Sequence, residues 1–272
     1  MISDVAYRPI GVFDSGVGGL TVCRKIAETL PAESIVYLGD TARVPYGSKS
    51  AATVIRYAGA CAELLSARNI KLLVVACNTA SAFALDTLRA QLSIPVVGVV
   101  MPGARAACKR SVSGRIGVIG TRGVISSGVY DATIRQIRPE ARVVSAACPL
   151  FVPFAEEGWT EGDVITSVAR TYLSGLLEKD IDTLVLGCTH YPMLRNVIAG
   201  VAGAAVHLVD SAEETACAVV NILEERGLLL TDAVRGTHTF LVSDSPDSFS
   251  ATGAQFFGHA LNQVEWLDVC VG

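Results

Sequence analysis

Charged residues and long apolar runs are both scarce in this chain of 272 residues. Charged residues make up 18% of it, against about 25% in an average globular protein, whereas hydrophobic residues make up 51%. So many apolar side chains can offset conformational entropy by burial, which excludes long disordered stretches. The 22 basic and 26 acidic residues give a net charge of −4. Without a basic excess, we expect no direct binding to nucleic acid or to acidic membrane surfaces.

No uninterrupted apolar segment reaches the roughly 20 residues that a membrane-spanning helix needs. The most apolar segments, 72–76 and 94–101, are short and are interrupted or bounded by Gly, Pro or Cys. The first residues also lack the basic patch and following apolar run of a secretory signal. We therefore expect no membrane association and a cytoplasmic location.

The eight cysteines include no C-x-x-C pair, and this absence argues against a structural zinc site. Because they are scattered among apolar residues, most are expected to be buried, reduced thiols. Six are interpreted in this way, namely Cys23, Cys61, Cys108, Cys148, Cys217 and Cys270. The other two, Cys77 and Cys188, differ in their position along the predicted elements.

Short apolar runs alternate with longer amphipathic stretches along the whole chain. Such runs are typical of strands buried on both faces, and we predict them at 10–13, 35–38, 72–76, 96–99, 116–119, 143–146, 184–186, 206–209 and 239–242. Predicted helices between them include 20–30, 51–68, 80–91, 164–177 and 213–225. Alternating strands and helices indicate an α/β fold with mainly parallel sheets flanked by helices.

Two segments of the chain resemble each other. Leu-Val-Val-Ala-Cys at 73–77 and Leu-Val-Leu-Gly-Cys at 184–188 each run from a predicted strand through a cysteine to polar residues and a predicted helix. This similarity predicts two similar α/β lobes that each end a strand on a cysteine, although a chance likeness between two strand-to-helix junctions is the alternative. A cysteine at the start of a helix loses its proton more readily than an ordinary thiol.

Ligands of open α/β sheets bind beyond the carboxyl ends of the strands. The residues predicted at those ends are small or polar, and they surround the two thiols: Asp14, Ser15, Gly16, Gly18, Gly19, Asp40, Tyr46, Gly47, Asn78, Thr79, Thr121, Glu156, Glu157, Thr189 and His190. Two thiols in matching positions can act as base and acid on opposite faces of one carbon, which is the arrangement that stereoinversion needs. Asp14 and His190 are candidates to hold or relay the thiol protons.

Several motifs occur together in a fixed order. They are Val-Phe-Asp-Ser-Gly-Val-Gly-Gly-Leu at 12–20, Tyr-Leu-Gly-Asp-Thr-Ala-Arg at 37–43, Pro-Tyr-Gly-Ser-Lys at 45–49, Val-Ala-Cys-Asn-Thr-Ala-Ser at 75–81, Gly-Val-Ile-Gly-Thr at 117–121, Cys-Pro-Leu-Phe-Val-Pro at 148–153, Leu-Gly-Cys-Thr-His-Tyr-Pro at 186–192 and Val-Asp-Ser at 209–211. In these stretches the sequence closely resembles the cofactor-independent glutamate racemases of bacteria. Beyond about residue 211 little of the chain matches residue by residue.

The resemblance implies that Cys77 and Cys188 remove and return the α-proton of glutamate, without metal or cofactor, and that the D-glutamate supplies peptidoglycan synthesis. It implies assistance from Asp14, His190 and a glutamate, for which the spacing favours Glu156 over its neighbour Glu157. The implied glutamate-binding residues are Asp14, Ser15, Tyr46, Gly47, Asn78, Thr79, Thr121, Thr189 and His190.

The resemblance also implies a domain arrangement. One lobe comprises residues 1–98 and 208–272, the other comprises 99–207, and the active site lies in the cleft between them. A homodimer is expected from the family alone.

Four other functions are weighed against this one. A nucleotide-binding enzyme is disfavoured because the glycines at 16–19 do not form G-x-G-x-x-G and no phosphate-binding G-x-x-x-x-G-K-[ST] occurs. A cysteine hydrolase leaves the second cysteine unexplained, whereas a racemase for aspartate or another amino acid shares the chemistry. A regulatory protein that binds DNA gyrase, a role reported for some glutamate racemases, is the alternative from another class.

Overall fold

The computed structural model of the protein describes residues 4–231 and 234–269. Its strands, in chain order, are β1 (Ile10–Asp14), β2 (Ile35–Gly39), β3 (Leu72–Val75), β4 (Val96–Gly98), β5 (Arg115–Gly120), β6 (Arg142–Ala147), β7 (Thr183–Gly187), β8 (His207–Asp210), β9 (His238–Val242) and β10 (Val264–Trp266).

The α-helices lie between and after these strands. They are α1 (Leu20–Thr29), α2 (Ala51–Ser66), α3 (Asn78–Phe83), α4 (Leu85–Gln91), α5 (Val100–Arg110), α6 (Arg122–Ser127), α7 (Val129–Ile137), α8 (Phe151–Glu156), α9 (Asp163–Leu177), α10 (Arg195–Ala202), α11 (Ala212–Glu225) and α12 (Pro246–Phe257). Short 3₁₀ helices occupy Asp4–Tyr7, Thr41–Arg43, Tyr46–Ser48 and Tyr191–Leu194. Among the described residues, no helix combines the length and the hydropathy required to cross a lipid bilayer.

The chain forms two compact units. The first comprises Met1–Val99 and Ala212–Gly272, and the second comprises Val100–Ser211. The first unit is therefore built from two separate stretches of sequence.

The first unit contains a six-stranded sheet in the order β10-β9-β2-β1-β3-β4. All of its neighbouring strands pair in parallel, and every residue of the central strand β1 is buried. Helix α2 begins where the Ser50 side chain accepts a hydrogen bond from the Thr53 N–H, and it buries one face at a spacing of three to four residues against the sheet. Strand β9 pairs with β2, so residues beyond the second unit complete this sheet.

The second unit contains a four-stranded parallel sheet in the order β6-β5-β7-β8. The inner strand β7 is fully buried, whereas every residue of the edge strand β6 is exposed or only partly buried. Helices α5 and α7 pack with the inner strands around Ala104, Val118 and Ile134. The inner strands therefore need an apolar residue at nearly every position, as parallel sheets covered on both faces do.

These observations confirm the predicted α/β class with parallel sheets, and each of the nine predicted strands is present to within one residue at either end. The three-residue edge strand β10 was not predicted because it is too short and too exposed to give an apolar run. The single helix predicted at 80–91 is wrong. The chain there forms α3 and α4, which are separated at Ala84, where φ is −109° and ψ is −14°.

The burial of the cysteines agrees only in part with the prediction that they are buried thiols. Cys23, Cys61 and Cys148 are buried as predicted, whereas Cys108 is only partly buried and Cys217 is exposed. The buried face of α11 includes Ala212, Thr215, Ala216, Val219 and Leu223, and Cys217 lies off that face. An apolar setting in the sequence therefore does not reveal which side of a helix carries a thiol. Cys270 lies outside the described residues.

Candidate active site

Cys77 lies at the carboxyl edge of the first unit's sheet. It follows β3 closely and occupies the position just before α3, with extended backbone angles (φ −67°, ψ 120°), as the sequence predicted. Its side chain is 6% exposed, and its thiol donates a hydrogen bond to the Ser15 hydroxyl at 3.7 Å. Because β1 and β3 are parallel neighbours, the residues that follow them meet at this edge.

Asp14 ends β1 and is buried beside the glycine-rich turn. The Gly16 N–H donates to its Oδ2 at 3.0 Å, and the Tyr37 hydroxyl donates to the Gly16 carbonyl at 2.7 Å. A side chain at Gly19 would clash with Asp14 and would lie 2.9 Å from the Tyr37 hydroxyl. Burial, and then the nearby Asp14, Cys23 and Cys77, raise the pKa of Tyr37 well above its usual value. Gly19 is thus required for close packing around Asp14.

The loop that follows β2 is held by a buried carboxylate. Asp40 is fully buried and accepts hydrogen bonds from the Tyr46 hydroxyl at 2.5 Å, from Arg43 Nε at 2.9 Å and from the Ser243 hydroxyl at 2.9 Å. Tyr46 itself is 1% exposed, and burial chiefly raises the pKa of its hydroxyl. The phenol of Tyr46 is therefore part of the core, and Gly47 follows it in the 3₁₀ helix.

Asn78 and Thr79 form the first turn of α3, directly after Cys77. Both are buried, at 3% and 2% exposure. The first unit thus brings seven of the predicted site residues to one edge of its sheet and to the loops beside it: Asp14, Ser15, Tyr46, Gly47, Cys77, Asn78 and Thr79.

Cys188 lies at the corresponding edge of the second unit's sheet. It follows β7 directly and is 6% exposed, like Cys77. The predicted passage from this cysteine into an α-helix is wrong, because the chain continues into the four-residue 3₁₀ helix at Tyr191–Leu194 and α10 begins only at Arg195. No α-helix dipole therefore begins at Cys188.

A histidine and a carboxylate accompany Cys188 instead. Its Sγ lies 3.9 Å from His190 Nδ1, and His190 Nε2 lies 2.8 Å from Glu156 Oε1. Burial by itself lowers the pKa of His190, but the hydrogen bonds to Cys188 and Glu156 outweigh it and raise that pKa from 6.5 to about 10. The imidazole is thus cationic at neutral pH, and the residue in contact with it is Glu156, the neighbour of the exposed Glu157.

The segments next to Cys188, His190 and Glu156 are held by further contacts. The Tyr191 hydroxyl donates to the Cys148 carbonyl at 2.8 Å, and the Tyr191 ring meets Phe151 edge-on at 5.3 Å. Thr121 follows β5, whose last residue Gly120 pairs with Gly187, so it lies across from Cys188. Its hydroxyl accepts the Val124 N–H at the start of α6. The second unit thus brings together Thr121, Glu156, Cys188, Thr189 and His190.

Three contributors were not predicted from the sequence. Tyr37 and Tyr191 donate hydrogen bonds to the Gly16 and Cys148 carbonyls from the cores of the two units, and Ser243, which follows β9, reaches Asp40 from 203 residues further along the chain. Tyr37 and Tyr191 occur in the motifs at 37–43 and 186–192 but have no role predicted from them, whereas no signal in the sequence points to Ser243. Within the described residues, no group of three or more His, Cys, Asp or Glu side chains is arranged to hold a metal ion.

Each thiol therefore has a different hydrogen-bonding neighbour. Cys77 contacts a neutral hydroxyl, whereas Cys188 contacts a cationic imidazole held by a carboxylate. Groups of these kinds can hold a proton, release it and take it back during an acid–base reaction. A fold with two thiols at the carboxyl ends of parallel strands, without a nucleotide-binding motif, is characteristic of cofactor-independent amino-acid racemases.

Comparison with known proteins identifies the family. The family model described as Asp/Glu/Hydantoin racemase matches residues 10–219, so the chain belongs to this family. It is 57% identical over 258 residues to the glutamate racemase of Geobacter metallireducens, covering 95% of this chain and 96% of that protein. The chain therefore stands among the glutamate racemases, which confirms the resemblance recognised in its motifs.

Solved structures agree with this assignment. A glutamate racemase isoform of Bacillus anthracis superposes with a TM-score of 0.94 at 41% identity, covering 98% of this chain and 100% of that chain. The glutamate racemase of Francisella tularensis, solved in complex with D-glutamate, superposes with a TM-score of 0.91 at 37% identity and covers 97% and 98% of the two chains.

Proposed function

We propose that this chain interconverts L- and D-glutamate by moving the α-proton between two thiols. The observation that carries the proposal is the pair of buried cysteines that follow parallel strands, each with its own hydrogen-bonded partner. Stereoinversion at carbon needs a base on one face and an acid on the other, and thiols at matching positions of two similar sheets meet that need.

The reaction begins with one cysteine as thiolate and the other as thiol. The thiolate removes the Cα proton from one face of glutamate, the carbon passes through a carbanion-like state, and the other thiol gives its proton to the opposite face. The product has inverted configuration, and the two sulfur atoms have exchanged protonation states. We assign Cys77 and Cys188 to these steps, with Asp14 assisting on the first side and His190 and Glu156 on the second.

Substrate binding is proposed to use neutral donors. Backbone N–H groups at the start of α3 and the polar side chains of Ser15, Asn78, Thr79, Thr121 and Thr189 provide partners for two carboxylates without an arginine. Because the phenol of Tyr46 is bonded to Asp40, Tyr46 and Gly47 are proposed to contact glutamate through their backbone. This scheme uses no metal and no cofactor.

The lobes predicted at 1–98 with 208–272 and at 99–207 are proposed to enclose the substrate in the cleft between them. The D-glutamate complex of the Francisella tularensis relative supports glutamate as the ligand. We place the activity in the cytoplasm, where D-glutamate serves peptidoglycan synthesis. A homodimer and an association with gyrase stay predictions, to be checked by the oligomeric state in solution and by co-purification with gyrase.

The test is the circular dichroism of L-glutamate and of D-glutamate incubated with the purified protein, in EDTA and without pyridoxal phosphate. We expect the signal to decay to zero from either enantiomer. L-Aspartate under the same conditions is the control for specificity and should retain its signal. Loss of the aspartate signal with a stable glutamate signal would replace glutamate by aspartate as substrate, and no decay of either with folded, reduced protein would contradict the racemase proposal.

A further inference from the structure

Ser243 lies in the part of the chain that returns to the first unit after the second unit is complete. It directly follows β9, is 8% exposed, and its N–H donates to the Gly39 carbonyl at 3.1 Å. Its hydroxyl makes two further bonds: it donates to Asp40 Oδ1 at 2.9 Å and accepts from the Ala42 N–H at 2.9 Å. The Ser243 side chain thus bonds both Asp40, at the start of the loop that leads to Tyr46, and Ala42, in the middle of that loop.

The contacts of Asp40 transmit this anchoring along the loop. Its other carboxylate oxygen accepts the Tyr46 hydroxyl, and Oδ1 also receives Arg43. Beside Ser243, the Thr41 hydroxyl donates to the Asp244 carbonyl at 2.7 Å and accepts the Asp244 N–H at 2.8 Å. A buried carboxylate needs its full set of hydrogen-bond donors to hold one conformation. Removal of one donor therefore weakens the remaining hydrogen bonds to Asp40.

The edge strand β10 holds Ser243 from the opposite side. The Trp266 indole N–H donates to the Ser243 carbonyl at 3.1 Å, and the Leu267 N–H donates to the Val242 carbonyl at 2.8 Å. The last described part of the chain therefore fixes the backbone from which the Ser243 hydroxyl extends.

We propose that Ser243 is a positioning residue for glutamate binding, acting through Asp40 on the backbone of Tyr46 and Gly47. This inference rests on the proposed function. Ser243 is not assigned any contact with substrate. Because the loop would hold the substrate carboxylate equally in the ground state and in the transition state, a displaced loop weakens binding without slowing the chemical step, and KM rises while kcat is retained.

The test compares Ser243→Ala with the matched control Ser34→Ala. Ser34 bonds Thr237 at the opposite end of the same β2–β9 pair, so its loss is a similar change far from the loop. For Ser243→Ala we expect KM for both enantiomers to rise about tenfold with kcat changed by less than about twofold. Hydrogen exchange at the Ala42 amide should also accelerate, and both effects should be absent from Ser34→Ala.

A second pair of variants keeps the test decisive if Ser243→Ala does not fold. Ser243→Thr retains the hydroxyl, so its KM and its rate of Ala42 exchange should both be close to those of wild type. Ser243→Val has the same branched shape without the hydroxyl and should show the raised KM and the faster exchange. An unchanged KM in an active enzyme, or equal effects in the Thr and Val variants, would overturn the positioning role. Wild-type protein that leaves glutamate unracemised would instead overturn the proposed function, and exchange at Ala42 would still report whether Ser243 holds the loop.

Discussion

The surroundings of the two thiols differ more than the matching strands suggest. Cys77 precedes an α-helix and donates to the Ser15 hydroxyl, with Asp14 buried close by in the glycine-rich turn. Cys188 precedes a turn and a 3₁₀ helix, and it contacts His190, which Glu156 holds from the other side. Both units thus place a thiol at the carboxyl end of a strand. The group that contacts the thiol is a hydroxyl in one unit and an imidazole in the other.

In the proposed reaction, a symmetric exchange of protons is therefore served by an asymmetric site. On the second side, a cationic imidazole lies beside the sulfur, and the pKa of about 10 keeps that charge throughout the neutral range. On the first side, a neutral hydroxyl and a helix start take its place. We infer that the second side depends on one charged relay, whereas the first side distributes the same task over several weaker groups.

The largest effect is expected from removing either thiol. Cys77→Ser and Cys188→Ser should each lower racemisation by about 10³-fold, because a hydroxyl is a far weaker acid–base catalyst than a thiol. Each variant should still exchange the α-proton of one enantiomer with solvent, since one thiol remains to remove and return it on the same face. The measurement is racemisation by circular dichroism together with deuterium incorporation in D₂O.

Deuterium incorporation distinguishes a mechanism with two catalytic thiols from a mechanism with one. Retained turnover in either variant would contradict the two-thiol mechanism. Exchange of the same enantiomer in both variants would show that the two cysteines do not act on opposite faces.

The next largest effect is expected from the relay at Cys188. Glu156→Gln should lower kcat about tenfold and shift the basic limb of its pH profile to lower pH, because the pKa of His190 falls when its carboxylate partner is lost. Glu157→Gln removes a carboxylate from the adjacent, exposed position and should leave both unchanged. Equal effects of the two substitutions would show that general charge near the site, rather than the contact with His190, is responsible.

A smaller effect is expected on the side of Cys77. Ser15→Ala removes the hydroxyl that lies 3.7 Å from the sulfur, a long and neutral contact, and should lower kcat only about threefold. Steady-state kinetics with both enantiomers measures it. A loss in Ser15→Ala as large as that in Glu156→Gln would remove the contrast between the two sides.

The smallest effect is expected in stability. His190 has a pKa raised from 6.5 to about 10 by Cys188 and Glu156 against the effect of burial, so its stabilising contribution is complete below pH 6.5 and is lost as the pH rises toward 10. Urea unfolding should therefore show Glu156→Gln to be destabilised relative to wild type at pH 6.5, by about 1 kcal/mol, and less so at pH 9.5. Glu157→Gln is the reference, and a difference independent of pH would contradict this titration.

Much of the fold was predictable because parallel sheets covered on both faces require continuous apolar runs. Strands such as β1, β3 and β7 are buried at every position, and the sequence predicts each of them. Helix α11 shows where the prediction ends, since Cys217 has apolar neighbours in the sequence and still lies on the exposed face. The sequence likewise does not predict the division between α3 and α4, because neither glycine nor proline stands at or beside Ala84.

The candidate site was predictable to the extent that its residues follow strands. Cys77 and Cys188 were selected because a strand end is a position that a short pattern defines. The resemblance also names His190 and Glu156, but the contacts that these residues make depend on which distant segments pack together. His190 and Glu156 are 34 residues apart, and Ser243 and Asp40 are 203 residues apart.

The sequence by itself determined the class of fold, the two cysteines at strand ends and the family, because apolar periodicity and short motifs are local properties of the chain. The tertiary structure alone decided the order of the strands, the contact of Glu156 with His190, and the anchoring of the Tyr46 loop by Ser243. The physical reason is that hydrogen bonds between buried polar groups depend on distances in space, which packing sets and sequence separation does not.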